Sequence, residues 1–351
     1  MIPFDLTYRR AESVDEAVGA WIEATEAGGT ALYYGGGTEF VTLARDNKRH
    51  ADVLIDYKRV PDAGACGVAG DGDSAMAWEV GAGLRLNTIV DTPGTGLLAY
   101  CFSGVADRTV RNSITVGGNI CGMLAYREGV LPFLLLDGSV TYAYPRDGVV
   151  ARATQPIREL FKKKLALPRG GLALSFSIDA ALMEGCGLGA ASPREPAAPD
   201  GDRRAPGAGL RTSAGGYSVE VPYGPVTAAG SGPRGSWFYR RQTREPRVDY
   251  PLVTVAMASV SDSVRIAVAG AWGYPVRAER VEEVVNSTGA ANIAALDEAE
   301  RRTTIERAVD AQEIQFKQDM RGSRRYRREL TIQAIEDGVL ALTGDPSGGR
   351  A

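Results

Sequence analysis

Two glycine-rich turns constrain this chain more than any other feature: Gly35-Gly36-Gly37-Thr38-Glu39 and Thr115-Val116-Gly117-Gly118-Asn119. Each follows a short apolar run, residues 31–34 and 113–116, that reads as a strand. Glycine lacks a Cβ, so its backbone can approach a ligand closely and adopt φ > 0 without strain. N–H groups bared in such turns form concavities for anions, above all where a helix begins. One loop of this kind is commonly a plain turn. Two in one domain can hold both sides of a single diphosphate, which points to a dinucleotide.

The remaining composition narrows the partners. A length of 351 residues allows two or three domains. With 44% apolar and 24% charged residues the composition is that of an ordinary globular protein, and a net charge of −3 offers no basic surface for nucleic acid. No apolar run reaches the length of a membrane span, and the first residues lack a basic stretch followed by an apolar one. The expected setting is therefore cytoplasmic. The four cysteines, Cys66, Cys101, Cys121 and Cys186, form no CxxC motif, so no iron–sulfur cluster or zinc site is expected on this chain. The single histidine, His50, falls in the polar stretch Asn47-Lys48-Arg49-His50 and reads as a surface residue. One histidine argues against a Ser-His-Asp triad, a multi-histidine metal site or a histidine-linked flavin.

Along the chain, Ser13 and Glu16 form a capping box ahead of an amphipathic helix over 14–27, which Gly28-Gly29 ends. A helix is expected at 38–45 and strands at 53–55 and 75–80. Gly81-Ala82-Gly83 imitates the opening of a GxGxxG fingerprint, but Leu86 occupies the third glycine position, so the segment reads as a strand ending in a turn. A helix over 97–106, a buried apolar run over 130–136 and strands at 138–144 and 172–178 follow. This mixture lacks regular βαβ periodicity and predicts an α+β fold. Residues 185–235 are dense in Gly, Pro, Ala and Arg and read as an insertion or flexible linker, with one isolated strand at 217–221. Strands at 252–260 and 264–268, then helices at 278–285, 297–311 and 324–342, predict a second α+β domain. The expected organisation is thus 1–180, linker 185–235, 236–344, and a disordered tail over 345–351.

The order of these motifs resembles the FAD-binding (medium) subunit of molybdenum hydroxylases, the family of xanthine dehydrogenase and aerobic carbon monoxide dehydrogenase. The resemblance is carried by Phe4-Asp5-Leu6-Thr7-Tyr8-Arg9-Arg10-Ala11, by Gly36-Gly37-Thr38-Glu39, and most specifically by Arg111-Asn112-Ser113-Ile114-Thr115-Val116-Gly117-Gly118-Asn119-Ile120. Tyr239-Arg240-Arg241-Gln242-Thr243-Arg244, Asp249-Tyr250-Pro251-Leu252 and Asp319-Met320-Arg321-Gly322-Ser323 extend it to the C-terminal part. It implies a two-part FAD domain of the vanillyl-alcohol-oxidase type (PCMH type), then a smaller α+β domain of the CO dehydrogenase flavoprotein type. It also implies electron relay. A large molybdopterin subunit would hydroxylate the substrate, a small subunit with two [2Fe–2S] clusters would pass on the electrons, and non-covalent FAD on this chain would hand them to NAD, oxygen or a quinone.

The resemblance assigns roles residue by residue. Gly35, Gly36, Gly37, Thr38 and Glu39 would form the first pyrophosphate loop, mainly through backbone N–H groups and the dipole of the following helix. Thr115, Val116, Gly117, Gly118 and Asn119 would form the second, with Thr115 and Asn119 as side-chain donors. Glu128 stands where the family commonly has an aspartate bound to the flavin nucleotide; the alternative is a surface ion pair with Arg127. Arg240 occupies a position that is often lysine near the flavin; the alternative is a salt bridge at the domain interface. Leu172 and Ala173 fall where the family packs apolar residues against the flavin, and as strand residues they serve equally as core. No residue is expected to act as acid or base, since the cofactor carries the chemistry. Two other readings stand beside this one: a stand-alone flavin oxidoreductase of the same fold, and a flavin-free binding or assembly subunit.

Overall fold

Three sheets follow one another along the chain, each with its own helices. The computed structural model describes residues 2–70, 76–92, 95–185, 226–232, 235–245 and 248–344. Most of the expected linker, including residues 217–221, and the tail 345–351 lie outside the described residues, as does Cys186.

The first sheet is parallel, in the order β1 (Thr7–Arg10), β3 (Val53–Asp56), β2 (Ala31–Tyr34). Helix α1 (Val14–Glu26) connects β1 to β2, and α2 (Thr38–Arg45) connects β2 to β3. The box at the start of α1 is half as expected. The Ser13 hydroxyl accepts the Glu16 N–H at 3.1 Å, but the Glu16 carboxylate accepts from Glu12 N at 2.7 Å, one residue beyond the reciprocal bond. Val14, Ala17, Val18 and Ala24 turn one face of α1 into the core.

The second sheet is antiparallel, in the order β4 (Cys66–Ala69), β5 (Ala77–Gly81), β8 (Leu172–Asp179), β6 (Ser139–Arg146), β7 (Val149–Pro156). Between β5 and β6 run five short helices: α3 (Leu86–Val90), α4 (Gly96–Ser103), α5 (Arg108–Arg111), α6 (Val116–Cys121) and α7 (Leu131–Leu135). Helices α8 (Ile157–Leu160) and α9 (Ala180–Gly185) flank β8. Two expectations change here. Residues 113–116 form no strand: Thr115 makes a single bridge to Arg85 and then caps α6. The helix expected to reach 106 stops at Ser103, because the Arg111 guanidinium takes the carbonyls of Ser103, Val105 and Ala106 at 2.7, 3.2 and 2.9 Å. Those carbonyls satisfy a buried cation instead of continuing a helix.

The third sheet is an antiparallel meander, β9 (Val226–Gly232), β10 (Gly235–Thr243), β11 (Pro251–Val260), β12 (Ser263–Ala269) and β13 (Val276–Arg277). Helices α10 (Glu279–Thr288), α11 (Ala290–Ala295), α12 (Glu298–Asp310) and α13 (Arg324–Thr343) cover one face. Strand β9 falls inside the stretch read as linker, so the third sheet starts at Val226, ten residues before the expected 236. Strand alternation divides the sheet's residues. Phe238, Val255, Met257, Ile266 and Val268 meet the helices, whereas Trp237, Tyr239, Ala256, Ala258 and Ala267 join the core of the preceding domain. The alanines on that second face leave room for α7, whose five residues are all buried.

Candidate functional site

The first glycine turn lies at the carboxyl end of the parallel sheet, between β2 and α2. That is where open α/β units place ligands. Gly37 holds φ +70°, a conformation that favours glycine, and a Cβ there would fall 2.2 Å from the Tyr34 hydroxyl, so Tyr34 would have to move. Among the described residues no side chain caps α2. The amides of its first turn are thus left for a ligand.

The two turns touch. A Cβ on Gly36 would stand 1.7 Å from the Ser113 carbonyl oxygen, and one on Gly35 would stand 2.5 Å from the Thr115 hydroxyl. They are not equivalent, however. In the second turn Val116 N donates to Leu84 O and Gly117 N to Ala82 O, both at 2.8 Å. Gly118 N donates to the Thr115 hydroxyl at 3.1 Å, and Asn119 N to Thr115 O at 2.9 Å. These four amides serve the protein, so the second turn offers shape and side chains. The Asn119 Oδ1 accepts the Gly129 N–H at 3.1 Å, which commits its oxygen and leaves its NH2 as the donor. Gly81-Ala82-Gly83 proves to be the end of β5 and the platform on which Gly117 rests, not a third nucleotide loop. Leu174 O accepts from Ala82 N at 2.8 Å and backs that platform with β8. Leu172 and Ala173 on β8 are both in the core.

Sequence reasoning missed two residues between the turns. The buried Tyr57 places its hydroxyl 3.3 Å from a Cβ built on Gly35 and 3.0 Å from one built on Gly117, so it spaces the two turns. Burial pushes its phenol up, which keeps it neutral. Lys58 donates to the Gly35 carbonyl at 2.9 Å and pairs with Asp56 at 2.8 Å, fixing a cation under the first turn. Burial pushes the Asp56 carboxyl up, but hydrogen bonds from Lys58 and Tyr8 outweigh it and hold it below the usual range. The available signal was position: Tyr57 and Lys58 follow β3, whose last residue, Asp56, pairs with Tyr34 beside the first turn. Glu39 ties the turns from the other side, accepting from Met123 N at 3.2 Å and Arg49 at 3.5 Å.

Glu128 is not at the surface, as the ion-pair alternative would have it. It is 1% exposed, and its partner is not Arg127. One carboxylate oxygen accepts from Thr254 at 2.7 Å and from Tyr239 and the Arg241 Nε at 3.2 Å, across the junction with the C-terminal sheet. Burial, and then the Glu128 charge, raise the Tyr239 phenol and keep it a neutral donor. Arg127 instead donates to the carbonyls of Gly122 and Lys163. Arg240 corrects in the same way. Alternation along β10 turns it to the helix-covered face, where it pairs with Asp337 on α13 rather than across the domain interface. Arg241, one residue on, is the arginine that faces the first domain. His50 is exposed, as expected, with its ring 4.2 Å from Phe4.

Among the described residues no group of three or more His, Cys, Asp or Glu side chains could hold a metal ion, and no helix is long and apolar enough to cross a membrane. A cradle closed to any Cβ, an uncapped helix start and a fixed lysine fit the diphosphate of a dinucleotide.

The model of a family described as the FAD-binding domain in molybdopterin dehydrogenase matches residues 3–178. Among solved structures, the chain is 18% identical to a chain of the carbon monoxide dehydrogenase from Hydrogenophaga pseudoflava that lacks the Mo-pyranopterin moiety of the molybdenum cofactor. That match covers 97% of this chain and 98% of that one, with a TM-score of 0.66. It is 17% identical to a chain of quinoline 2-oxidoreductase from Pseudomonas putida 86, over 97% and 98% of the two chains, with a TM-score of 0.67. Reconstituted CO dehydrogenase from Oligotropha carboxidovorans matches at 15% identity, over 98% and 100%, with a TM-score of 0.68. At these identities the solved structures establish the fold. No curated protein matches the chain.

Proposed function

The chain belongs to the family of FAD-binding domains found in molybdopterin dehydrogenases, and from that premise we propose that it is the FAD-carrying electron-transfer subunit of a molybdenum hydroxylase. The observation that carries this reading is the contact between the two glycine turns at Gly36 and Ser113, which makes one cradle from two distant segments. In that cradle the backbone of Gly35–Gly37 and the first turn of α2 bind the diphosphate. Lys58 fixes the first turn from beneath through the Gly35 carbonyl, Thr115 shapes the wall of the cradle, and Asn119 adds a side-chain donor. Bound FAD supplies the redox chemistry, and the chain's part is to hold it, orient it and control access. In this reading Glu128 serves the domain junction and Arg240 the packing of α13.

The partners follow from the same reading. A large molybdopterin subunit would select and hydroxylate the substrate. A small subunit with two [2Fe–2S] clusters would deliver electrons to this chain, which would pass them to NAD, oxygen or a quinone. Co-expression with candidate large and small subunits, followed by purification through a tag on this chain, tests the proposal. A yellow complex of three subunits supports it. Turnover by the isolated chain would favour a stand-alone flavin enzyme, and a flavin-free complex an assembly subunit.

A further inference from the structure

The residues around Glu128 connect the C-terminal domain to the second glycine turn through three consecutive positions. Arg127 donates to the Gly122 carbonyl at 3.0 Å, at the C-terminal end of α6. Gly129 donates to the Asn119 side chain at 3.1 Å, inside α6. There is no slack at Gly129, since a Cβ there would fall 2.5 Å from both Asn119 Oδ1 and the Phe102 ring. Residues 127 and 129 therefore grip α6 at two places. Between them, the Glu128 carboxylate is held by Thr254, Tyr239 and Arg241, all from the C-terminal sheet. Arg241 is fixed in turn by the Asp249 carbonyl. All four side chains of this cluster are buried, so the link has little freedom to move.

We propose that Glu128 is a positioning residue through which docking of the C-terminal domain sets the placement of Asn119, and so the grip of the second glycine turn on the cofactor. This rests on the flavin reading of the two turns. A second carboxylate at the same junction provides the control. Asp137, just past α7, accepts from Arg158 at 2.8 Å within its own domain and from Arg265 at 2.9 Å across the junction. It has no such bond to α6, so loosening it weakens docking without pulling on Asn119.

The test uses the full chain. FAD is titrated into wild type, Glu128→Gln, Glu128→Ala, Thr254→Val and Asp137→Asn, with thermal melts on each, and the circular dichroism of the flavin band is recorded at saturating FAD. The expected result is a rise in the FAD dissociation constant of about tenfold or more for Glu128→Ala. A smaller rise is expected for Thr254→Val and partial rescue in Glu128→Gln, which keeps an acceptor oxygen. The flavin band changes in the Glu128 variants, and Asp137→Asn leaves both affinity and band near wild type. If Glu128→Ala does not fold, Glu128→Gln and Thr254→Val decide the matter. Wild-type affinity and band in the folded Glu128 and Thr254 variants, or an equal loss in Asp137→Asn, overturns the inference. Failure of the wild type itself to bind FAD overturns the flavin reading and this inference together.

Discussion

The Ser113 carbonyl oxygen lies where any residue other than glycine at position 36 would place its β-carbon, at a separation of 1.7 Å. Gly36 and Ser113 are far apart in sequence and belong to different subdomains, so this contact joins the two glycine turns into one structure. The obstacle is backbone and cannot rotate away. Gly36→Ala must therefore displace one turn, at a cost of about 1–3 kcal/mol. Part of that cost is taken from ligand binding, where about 1.4 kcal/mol is a tenfold loss. FAD affinity measured by quenching of flavin fluorescence should fall by about tenfold, whereas Gly118→Ala, whose Cβ meets only the Thr115 hydroxyl at 2.9 Å, should lose less. Equal losses in the two variants would count against the unequal roles of the turns.

Thr115 caps α6 through the Gly118 N–H and is fully buried. Thr115→Val keeps the shape and removes the acceptor. The expected cost is about 0.5–2 kcal/mol, as for other lost N-caps. It would appear as a lower urea midpoint together with weaker FAD binding, because the cap and the cradle share one hydroxyl.

Tyr57 separates the turns, and its ring fills space rather than donating strongly: its bond to Ala82 O is 3.4 Å long. Tyr57→Phe should cost less than about 1 kcal/mol. Tyr57→Ala removes the spacer and leaves a cavity, with an expected loss of about 3–5 kcal/mol. Chemical denaturation of the two variants distinguishes a spacer from a hydrogen-bonding role, which would make them alike.

Arg240 and Asp337 form an ion pair on the face turned away from the first domain. Arg240→Gln should destabilise the C-terminal domain by about 1–3 kcal/mol, since it strands a partly buried carboxylate. FAD affinity should stay within about twofold of wild type, well under the tenfold that 1.4 kcal/mol represents. A large loss of affinity with an unchanged melting temperature would restore Arg240 to the flavin site.

Asp137 gives the junction a pH dependence. Burial raises its carboxyl, but the Arg158 hydrogen bond and the charges of Arg277, Arg265 and Arg158 outweigh that and hold it below the usual range. Because its folded value is depressed, its contribution to stability is fully present above the ordinary aspartate value of about 3.9. It is lost as the pH falls from there through the lowered value. Thermal melts of wild type and Asp137→Asn should therefore differ at pH 7 and converge as the solution is acidified toward pH 3.

Much of this architecture was legible in the sequence, and the failures have physical causes. The spans of α1, β2, α2 and α13 match the expected ones to within a residue, and Ser13 caps α1 as its sequence predicts, whereas the Ser323 cap of α13 became visible only in the structure. Thr115 did not read as a cap because the apolar residues around it imitate a strand. Strand β9 was hidden in a Gly- and Ala-rich segment whose partners lie in β10. The choice between Arg240 and Arg241 depends on which face of β10 meets the first domain, and Trp237, Phe238 and Tyr239 make both faces apolar. Lys58 and Tyr57 became visible only once the parallel sheet placed the end of β3 beside the end of β2.

Together the two turns are proposed to hold one FAD. The most direct measurement is titration of the purified chain with FAD, beside Gly36→Val and with stoichiometry read by calorimetry and by the absorbance of retained flavin after gel filtration. The wild-type chain should bind one non-covalent FAD, and a folded Gly36→Val variant should lose its retained flavin. Stoichiometric FAD in that variant, or no binding by wild type, would contradict this proposal.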